Sequence, residues 1–411
     1  MKKYGFLLLL ILCTLAFTNT WACTTFIISG SHTADGKPIL FKHRDSRSFD
    51  NSLVYFSDGK YDHIAVVNAE RDNWNTMAWG GYNSAGFAIM NSAAYNNNMG
   101  DTTQLIDQEG IVMKLALERC KTIADFERLL QELPKPMGVD ANFGVIDAFG
   151  GAAYYETGNY KYTKVDVNDP LVAPNGYLIR TNHSFSGDMT EGGGFIRYAT
   201  TQAVLDNAAA TGQLEPQYLL NQISRNLKHS LTKTNLYNNM PERRNLADYK
   251  DFTDYIPRYT TTSTLLVVGL KKNENLNNMM MWTILGFPLT TVAVPTWLTK
   301  DKQLPKLVSM QGNLHAPLCD AALKLKKQCF PIARGSGSKY INRSIILNKE
   351  NSGYLQLLAP IEQKIFDTTK ALIEDLPAAK DRDAKITAHY HMLDTYINRA
   401  YQDLFKIQVL D

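Results

Sequence analysis

The sequence has few of the features that mark several protein classes. It contains five cysteines, no two of which have the close spacing of a zinc site, and eight scattered histidines. Lysine and arginine number 43 against 40 aspartates and glutamates, so no excess of one charge favours nucleic acid or an anionic membrane surface. After residue 22 no apolar run is long enough to span a membrane. With 411 residues and 45% hydrophobic content, the chain is an ordinary globular protein of one or two domains.

The first 22 residues have the pattern of a secretory signal peptide. Lys2 and Lys3 form a short basic segment, and an apolar run over 5–17 follows. Thr20 and Ala22 then place small residues at the third and first positions before a cleavage site. The apolar run is too short to cross a membrane comfortably. We therefore expect cleavage after Ala22 and export to the periplasm or the medium, an oxidising compartment.

The cysteines give no sign of metal chemistry. Cys13 leaves with the signal peptide, and Cys120 ends an amphipathic segment, where a buried thiol behaves as a small hydrophobe. Cys319 and Cys329 stand ten residues apart across a helix-like stretch and could form a disulfide. The sequence predicts neither a metal site nor a cofactor.

Cleavage after Ala22 makes Cys23 the first residue of the mature chain. A terminal cysteine carries a thiol nucleophile and a free α-amine on one residue. The α-amine has an ordinary pKa of about 7.7 to 8.0, so near neutral pH it can accept the thiol proton. It can later return a proton to a leaving amine, as in other enzymes whose nucleophile is the N-terminal residue.

Two other interpretations of Cys23 stay open at this point. The residue could be the lipidated cysteine of a lipoprotein, although such signals usually carry Leu or a similar aliphatic where Thr20 stands. Cys23 could also be an ordinary residue of a first strand, with the cleavage site elsewhere. The residues that follow Cys23 decide between these interpretations.

A β-hairpin is predicted directly after Cys23. Apolar residues after Cys23 favour a first strand, Asp35 and Gly36 favour a turn, and a second apolar run ends at Asp45 in a charged cluster. Four further short motifs follow, at 80–91, 180–183, 194–198 and 260–268. In this order and spacing, residues 23–300 resemble the N-terminal-nucleophile hydrolases of the choloylglycine hydrolase, penicillin V acylase and acyl-CoA:6-aminopenicillanic acid acyltransferase group.

The resemblance implies roles for five residues. It implies that Cys23 is the nucleophile and that Asp45 holds its α-amine. It also implies that Asn91 and Asn182 contribute to the oxyanion hole. The matching arginine of the following helix, Arg197, is expected to point back into the site.

The resemblance is less specific about the remaining site residues. Lys42 stands where the family often has arginine, and Arg44 is close by, so either could be the cation beside the thiolate. We expect His183 to be a structural hydrogen-bonding residue, because the α-amine already supplies the base. Candidate residues for an apolar acyl pocket are Phe26, Tyr82, Phe87, Tyr95 and Phe185.

The chemistry of amide cleavage explains why these residue types are needed. The reaction passes through a tetrahedral oxyanion, and one preorganised donor lowers that barrier by about 2.7 to 4 kcal/mol. Asparagine amides supply such donors without adding a titratable charge. A carboxylate at Asp45 would orient the α-amine but also raise its pKa, so either a cation or burial must balance it. Lys42, Arg44 and Arg197 are the candidates, and a nearby cation would also favour the thiolate.

Strands and helices alternate in blocks along the chain. Strands are predicted within 23–92, 141–182 and 260–295, and helices at 110–120, 123–133, 195–208 and 216–228. Residues 230–257 lack periodicity and are predicted to be a loop over the site. Such blocks predict an α+β fold with two stacked antiparallel sheets and outer helices, the four-layer αββα sandwich that the resemblance implies.

The predicted organisation has three parts: a signal peptide over 1–22, a hydrolase domain over 23–355 and a helical C-terminal extension over 356–411. Two helices separated at Pro377 are expected in the extension, which lies outside the resemblance. The extension could pack on the core or form a homo-oligomer contact.

The sequence as a whole favours an exported hydrolase of linear amide C–N bonds that acts through an acyl-thioester on Cys23. Its partner would be a small-molecule amide, such as a conjugated bile salt, penicillin V or an N-acyl amino acid, and no nucleic acid. An acyltransferase of the same fold and a lipid-anchored binding protein without catalytic activity are the alternatives.

Overall fold

Strands alternate with helices along the described residues, which are 22–69, 72–311 and 315–410 of a computed structural model. Except for Ala22, the predicted signal peptide lies outside them. The strands are β1 (Thr24–Ile28), β2 (Ile39–Asp45), β3 (Asn51–Phe56), β4 (His63–Asn68), β5 (Gly81–Asn83), β6 (Ala88–Ala93), β7 (Ala141–Ile146), β8 (Ala152–Thr157), β9 (Tyr162–Asp166), β10 (Tyr177–Arg180), β11 (Tyr249–Asp251), β12 (Thr261–Val268), β13 (Met280–Leu285), β14 (Val294–Trp297) and β15 (Tyr340–Asn342). The α-helices are α1 (Glu109–Arg119), α2 (Ile123–Glu132), α3 (Phe195–Ala210), α4 (Pro216–Gln222), α5 (Pro317–Cys329), α6 (Arg343–Ile346), α7 (Tyr354–Asp375) and α8 (Arg382–Phe405).

Most strands belong to two antiparallel sheets. The first has six strands in the order β10-β1-β2-β12-β13-β14, and the second has seven in sequential order from β3 to β9. A separate pair joins β11 to β15. The predicted hairpin is present as β1 and β2, with Thr24 opposite His43 and Phe26 opposite Phe41. Because β2 runs antiparallel to β1, its charged end lies beside the start of β1 and so beside Cys23.

The two large sheets stack face to face. Phe26 and Phe41 of the six-stranded sheet are fully buried, with ring centroids 4.3 Å apart. Met90 of the seven-stranded sheet belongs to the same core. The sheets approach closely at β7, where a Cβ on Gly144 would lie only 3.1 Å from the Cδ1 of Ile27. Glycine is therefore the residue that permits this spacing.

Helices cover the outer face of each sheet. The amphipathic helices α1 and α2 pack on the seven-stranded sheet through a second core centred on Phe126 and Phe143. Thr122 caps α2 with a hydrogen bond to the backbone N–H of Asp125, which explains why this helix starts where it does. Helices α3, α4 and α5 contact the six-stranded sheet. The predicted α+β fold and its four αββα layers are confirmed.

The C-terminal helices also pack on the six-stranded sheet. Trp282 of β13 meets Phe366 of α7, and the hydroxyl of Tyr390 on α8 accepts a hydrogen bond of 2.7 Å from the backbone of Trp297. Tyr401 donates to the carbonyl of Thr290 at 2.9 Å. The predicted pair of helices is present, and this segment contributes to the main core. Within the described residues, no helix has both the length and the apolar character that a membrane crossing requires.

The possible Cys319–Cys329 disulfide is not formed. Both cysteines are free and buried, and both lie on α5. Ten residues of α-helix rise about 15 Å, which is far more than the distance that a disulfide can bridge. Helix α4 is also shorter than predicted, since it ends at Gln222 rather than near residue 228.

Candidate active site

Cys23 directly precedes β1 and lies among buried polar side chains. Its residue is 8% exposed, and its backbone carbonyl accepts a hydrogen bond from Nη1 of Arg197. The same guanidinium nitrogen donates to the hydroxyl of Thr24 at 2.8 Å. The start of β1 is therefore fixed from helix α3.

Arg197 links Cys23 to Asn182. It stands in the first turn of α3, is 1% exposed, and donates from Nη2 to the side-chain oxygen of Asn182 at 2.7 Å. Burial, followed by the charge of Arg258, lowers the pKa of Arg197 to about 9. Gly194 makes this position possible, because its φ is +82° and a Cβ there would lie 2.4 Å from Nη2 of Arg197.

The side chain of Asn182 is held in one orientation. Its oxygen accepts from Arg197, and its Nδ2 donates to the carbonyl of Ala93 at 2.8 Å. The neighbouring His183 has Nδ1 3.1 Å from the carbonyl of Gly193, and burial lowers the pKa of His183. This geometry agrees with a neutral, structural histidine.

Lys42 and Asn91 form a second hydrogen-bonded pair of buried polar side chains. Lys42 is 1% exposed and donates from Nζ to the carbonyl of Trp79 at 2.8 Å and to the side-chain oxygen of Asn91 at 2.6 Å. The Nδ2 of Asn91 has no hydrogen-bond partner among the residues that the structure describes. Burial lowers the pKa of Lys42 to about 7, and the charge of Cys23 acts in the opposite direction. Lys42 is thus within electrostatic reach of the thiol.

Arg44 contacts other residues than Lys42 does. Its guanidinium lies 4.6 Å from the ring centroid of Trp79, and Nη1 donates to the side-chain oxygen of Asn51 at 3.1 Å. The electrostatic effects of Cys23 fall on Lys42 and Arg197. Of the cations that the sequence offered, these two are therefore the candidates for a position beside the thiol.

Asp45 ends β2 in a buried ion pair that sequence analysis missed. Its carboxylate accepts from Nη2 of Arg258 and, at 2.7 Å, from the hydroxyl of Thr261. Arg258 also donates from Nη2 to the carbonyl of Ala22 at 2.8 Å. The buried carboxylate, its cation and the peptide bond before Cys23 therefore meet at one place. Asp45 is paired with Thr261 across β2 and β12, which brings Arg258, three residues before Thr261, to the carboxylate.

Glu109 is a second buried charge that sequence analysis missed. It is the first residue of α1, and its carboxylate accepts from the backbone N–H of Asp140 at 2.9 Å. Burial raises the pKa of Glu109 to about 7, and its charge acts on Lys42. An acidic residue in the first turn of a helix normally suggests only a favourable interaction with the helix dipole, so the sequence carried no stronger signal.

Three of the aromatic residues expected to line an acyl pocket are core residues, and one of them, Phe26, is fully buried against Phe41. Tyr82 is 1% exposed, and its hydroxyl donates to the carbonyl of Thr296 at 3.4 Å. Phe87 is fully buried against Phe126, in the core under α1 and α2. Because these three side chains are enclosed by packing, the structure does not bring them to a pocket. Phe185, by contrast, is 45% exposed on the segment that follows Asn182 and stays a candidate for substrate contact.

A separate group of side chains has metal-ligand geometry. Asp50, His315 and Asp320 each place one ligand atom within 4.8 Å of the others. The group is partly exposed and shares no residue with the cluster around Cys23. Exposed acidic groups commonly occur without an ion, and we assign this group no role.

The sequence matches the family model described as acyl-coenzyme A:6-aminopenicillanic acid acyl-transferase over residues 45–254, just over half of the chain. The chain belongs to this family. The predicted relationship is therefore confirmed. The matched segment of this acyl-transferase family member includes Asp45, Asn91, Asn182 and Arg197, whereas Cys23 precedes it.

The family member also resembles several solved structures at low identity. A mutant of the conjugated bile acid hydrolase from Clostridium perfringens has 11% identity and a TM-score of 0.41, covering 69% of this chain and 93% of that one. Penicillin V acylase from Agrobacterium tumefaciens has 13% identity and a TM-score of 0.38, covering 68% and 86%. The Caenorhabditis elegans ortholog of N-acylethanolamine-hydrolyzing acid amidase has 12% identity and a TM-score of 0.37, covering 60% and 92%. The sequence matches no curated protein.

Proposed function

We propose that the protein hydrolyses linear amide C–N bonds, with Cys23 as the nucleophile and the α-amine of mature Cys23 as the base. The observation that carries this proposal is the position of Asp45. Its carboxylate shares the donor Arg258 with the carbonyl of Ala22, the residue whose removal would create the α-amine. The proposal includes removal of residues 1–22 during export to the periplasm or the medium.

In the acylation step, the neutral α-amine takes the thiol proton and the thiolate attacks the substrate carbonyl. The amide groups of Asn91 and Asn182 donate to the oxygen that becomes negative. The protonated amine then gives its proton to the leaving nitrogen, the C–N bond breaks, and an acyl-thioester remains on Cys23. Lys42 and Arg197 stabilise the thiolate by their charge.

In the deacylation step, the α-amine takes a proton from water, and the resulting hydroxide attacks the thioester. The second tetrahedral oxyanion meets the same donors. The C–S bond breaks, the carboxylic acid leaves and the thiol of Cys23 regains a proton. The substrates that we propose are N-acyl amides of the conjugated bile salt, penicillin V or N-acyl amino acid type.

An acyltransferase activity is the second candidate, because the matching family is described as an acyl-transferase. In that reaction an amine replaces water in the deacylation step. Product analysis with and without an added amine separates the two: a hydrolase releases free acid in both cases, whereas an acyltransferase transfers the acyl group to the amine. A lipid anchor on Cys23 would instead appear as an added diacylglyceryl mass on the purified protein.

The experiment that tests the proposal measures amine release from these three substrate types by the mature protein. Cys23→Ala, with its N-terminus verified by mass, is expected to lose turnover while keeping its unfolding midpoint. Cys120→Ala is the matched control, because Cys120 is also a buried free thiol but lies in the core beside α1 and α2. Undiminished activity in Cys23→Ala would contradict the mechanism.

A further inference from the structure

Arg258 holds two acceptors with one nitrogen. Its Nη2 donates to the carboxylate of Asp45 and to the carbonyl of Ala22, and its side chain is 12% exposed. Its Nη1 lies 3.8 Å from a carboxylate oxygen of Asp254, which is 43% exposed and therefore well screened. The buried Asp45 is thus its main partner.

The two acceptors place Arg258 at the future α-amine. The carbonyl carbon of Ala22 is bonded directly to the nitrogen of Cys23, so a group that donates to this carbonyl oxygen lies within about 5 Å of that nitrogen. Thr261 links Arg258 to Asp45, because its hydroxyl accepts from the backbone N–H of Arg258 at 3.0 Å and donates to the carboxylate of Asp45 at 2.7 Å. Removal of Ala22 therefore leaves the Arg258–Asp45 ion pair near the new amine.

We propose that Arg258 is a positioning residue for the α-amine of mature Cys23: it orients Asp45 and disfavours protonation of the amine. This inference rests on the proposed function. It adds a residue that neither the predicted site nor the motifs behind it included.

The physical reason is the balance of charge around the amine. An unpaired carboxylate at Asp45 would favour the ammonium form and raise the pKa of the amine above its ordinary range of about 7.7 to 8.0. A base that stays protonated cannot accept the thiol proton near pH 7. A guanidinium that pairs with the same carboxylate cancels this effect while leaving the carboxylate in place.

Other charged groups face this position but are engaged differently. Arg197 of α3 donates to Cys23 and Asn182, and Lys42 of β2 donates to Trp79 and Asn91. His43 of β2 contacts the hydroxyls of Thr261 and Thr264, and burial lowers its pKa to about 4, so it is neutral.

Lys326 of α5 donates to the carbonyl of Thr261 at 3.2 Å, and burial lowers its pKa to about 7. Among the described residues, the cation that forms an ion pair with Asp45 is Arg258. Arg258 is therefore the residue whose charge should set the protonation of the amine.

The test is the pH dependence of kcat/KM between pH 5 and pH 10 on whichever amide the mature protein hydrolyses. Arg258→Gln is expected to move the acid limb upward by about one pH unit or more, because the amine then keeps its proton to higher pH. At pH values below the acid limb of the wild type, kcat/KM of this variant is expected to be lower by about tenfold or more, and the difference should disappear near pH 9. Arg258→Lys keeps the charge, so its limb should stay at the wild-type position even where its kcat is lower.

Arg225→Gln is the matched control. Arg225 also donates from Nη2 to a buried carboxylate, Glu362, at 2.6 Å and to a carbonyl, that of Thr291, at 3.1 Å. Loss of this pair should leave the limb in place. A uniform loss of rate in Arg258→Gln without a shift, or an equal shift in Arg225→Gln, would overturn the inference.

Two further outcomes keep the test decisive. If Arg258→Gln does not fold, a shifted limb in Arg258→Lys would overturn the inference, and an unshifted limb would support it. Failure of the proposed function is distinguishable, because it appears as activity that survives Cys23→Ala. Activity that requires Cys23 together with an unshifted Arg258→Gln limb would reject only the role of Arg258.

Discussion

The contact between Lys42 and Asn91 leads to a prediction about the oxyanion hole. The side-chain oxygen of Asn91 accepts from Nζ of Lys42 at 2.6 Å, and this bond fixes which end of the amide faces the lysine. The Nδ2 group is then directed away from Lys42 and has no partner among the described residues. Asn91 can therefore act in two ways, as an oxyanion donor through Nδ2 or as an anchor for Lys42 through its oxygen.

Two substitutions separate these roles. Asn91→Ala removes both contacts, whereas Asn91→Asp keeps an oxygen for Lys42 but removes the donor. If Nδ2 stabilises the oxyanion, both variants should lose kcat by about 100- to 1000-fold, the equivalent of about 2.7 to 4 kcal/mol. KM should change little, because the donor acts mainly when charge develops in the transition state.

The assay is steady-state kinetics of amine release, with the unfolding midpoint of each variant measured in parallel. Asn226→Ala is the control, since Asn226 is a buried asparagine that contacts the backbone at Gln222 and Lys228. We expect its kcat to match that of the wild type. An Asn91→Asp variant that keeps kcat while Asn91→Ala loses it would refute the donor role and leave only the anchor.

Three further predictions follow from the buried charges and from one glycine. Lys42→Met should slow alkylation of Cys23 by iodoacetamide at pH 6 by on the order of tenfold, because the pKa of Lys42 is about 7 and its cation at pH 6 favours the thiolate; an unchanged rate would contradict this. Burial raises the pKa of Glu109 to about 7, so the folded state binds more protons than the unfolded state between about pH 4.5 and pH 7. The free energy of unfolding should fall by up to about 3 kcal/mol as pH rises through this window, and urea unfolding of Glu109→Gln should lack that fall; equal slopes would count against it. Gly194→Ala and Gly212→Ala both place alanine at a positive φ, +82° and +66°, but only the Cβ at 194 meets a guanidinium, so only Gly194→Ala should lose turnover beyond the shared cost in stability.

Local patterns predicted much of the fold. The hairpin after Cys23 follows from alternating apolar runs and a turn sequence, and its register is present as β1 and β2. Helices α7 and α8 were predictable from the helical spacing of their apolar residues and from Pro377 between them. These features depend on neighbours in the sequence, which is why a single sequence was enough to predict them.

The site features that the sequence could not predict depend on contacts between residues far apart in the chain. Arg258 meets Asp45 across 213 positions, so no spacing rule links them. Glu109 becomes unusual only because it is buried, and burial of a residue at a helix start depends on tertiary packing. Tyr82 and Phe87 illustrate the opposite error: their motif follows the family, but the packing of the seven-stranded sheet encloses them.

The most direct test of the central claim compares two forms of the protein that differ by one residue. One form begins at Cys23 and the other retains Ala22, and intact mass verifies both before and after the assay. In the longer form the nitrogen of Cys23 is an amide, which cannot accept a proton, and Arg258 keeps its contact with the carbonyl of Ala22. We predict that the form beginning at Cys23 hydrolyses its amide substrate and that the longer form shows no turnover until Ala22 is lost. Equal turnover by an intact Ala22 form would contradict the account.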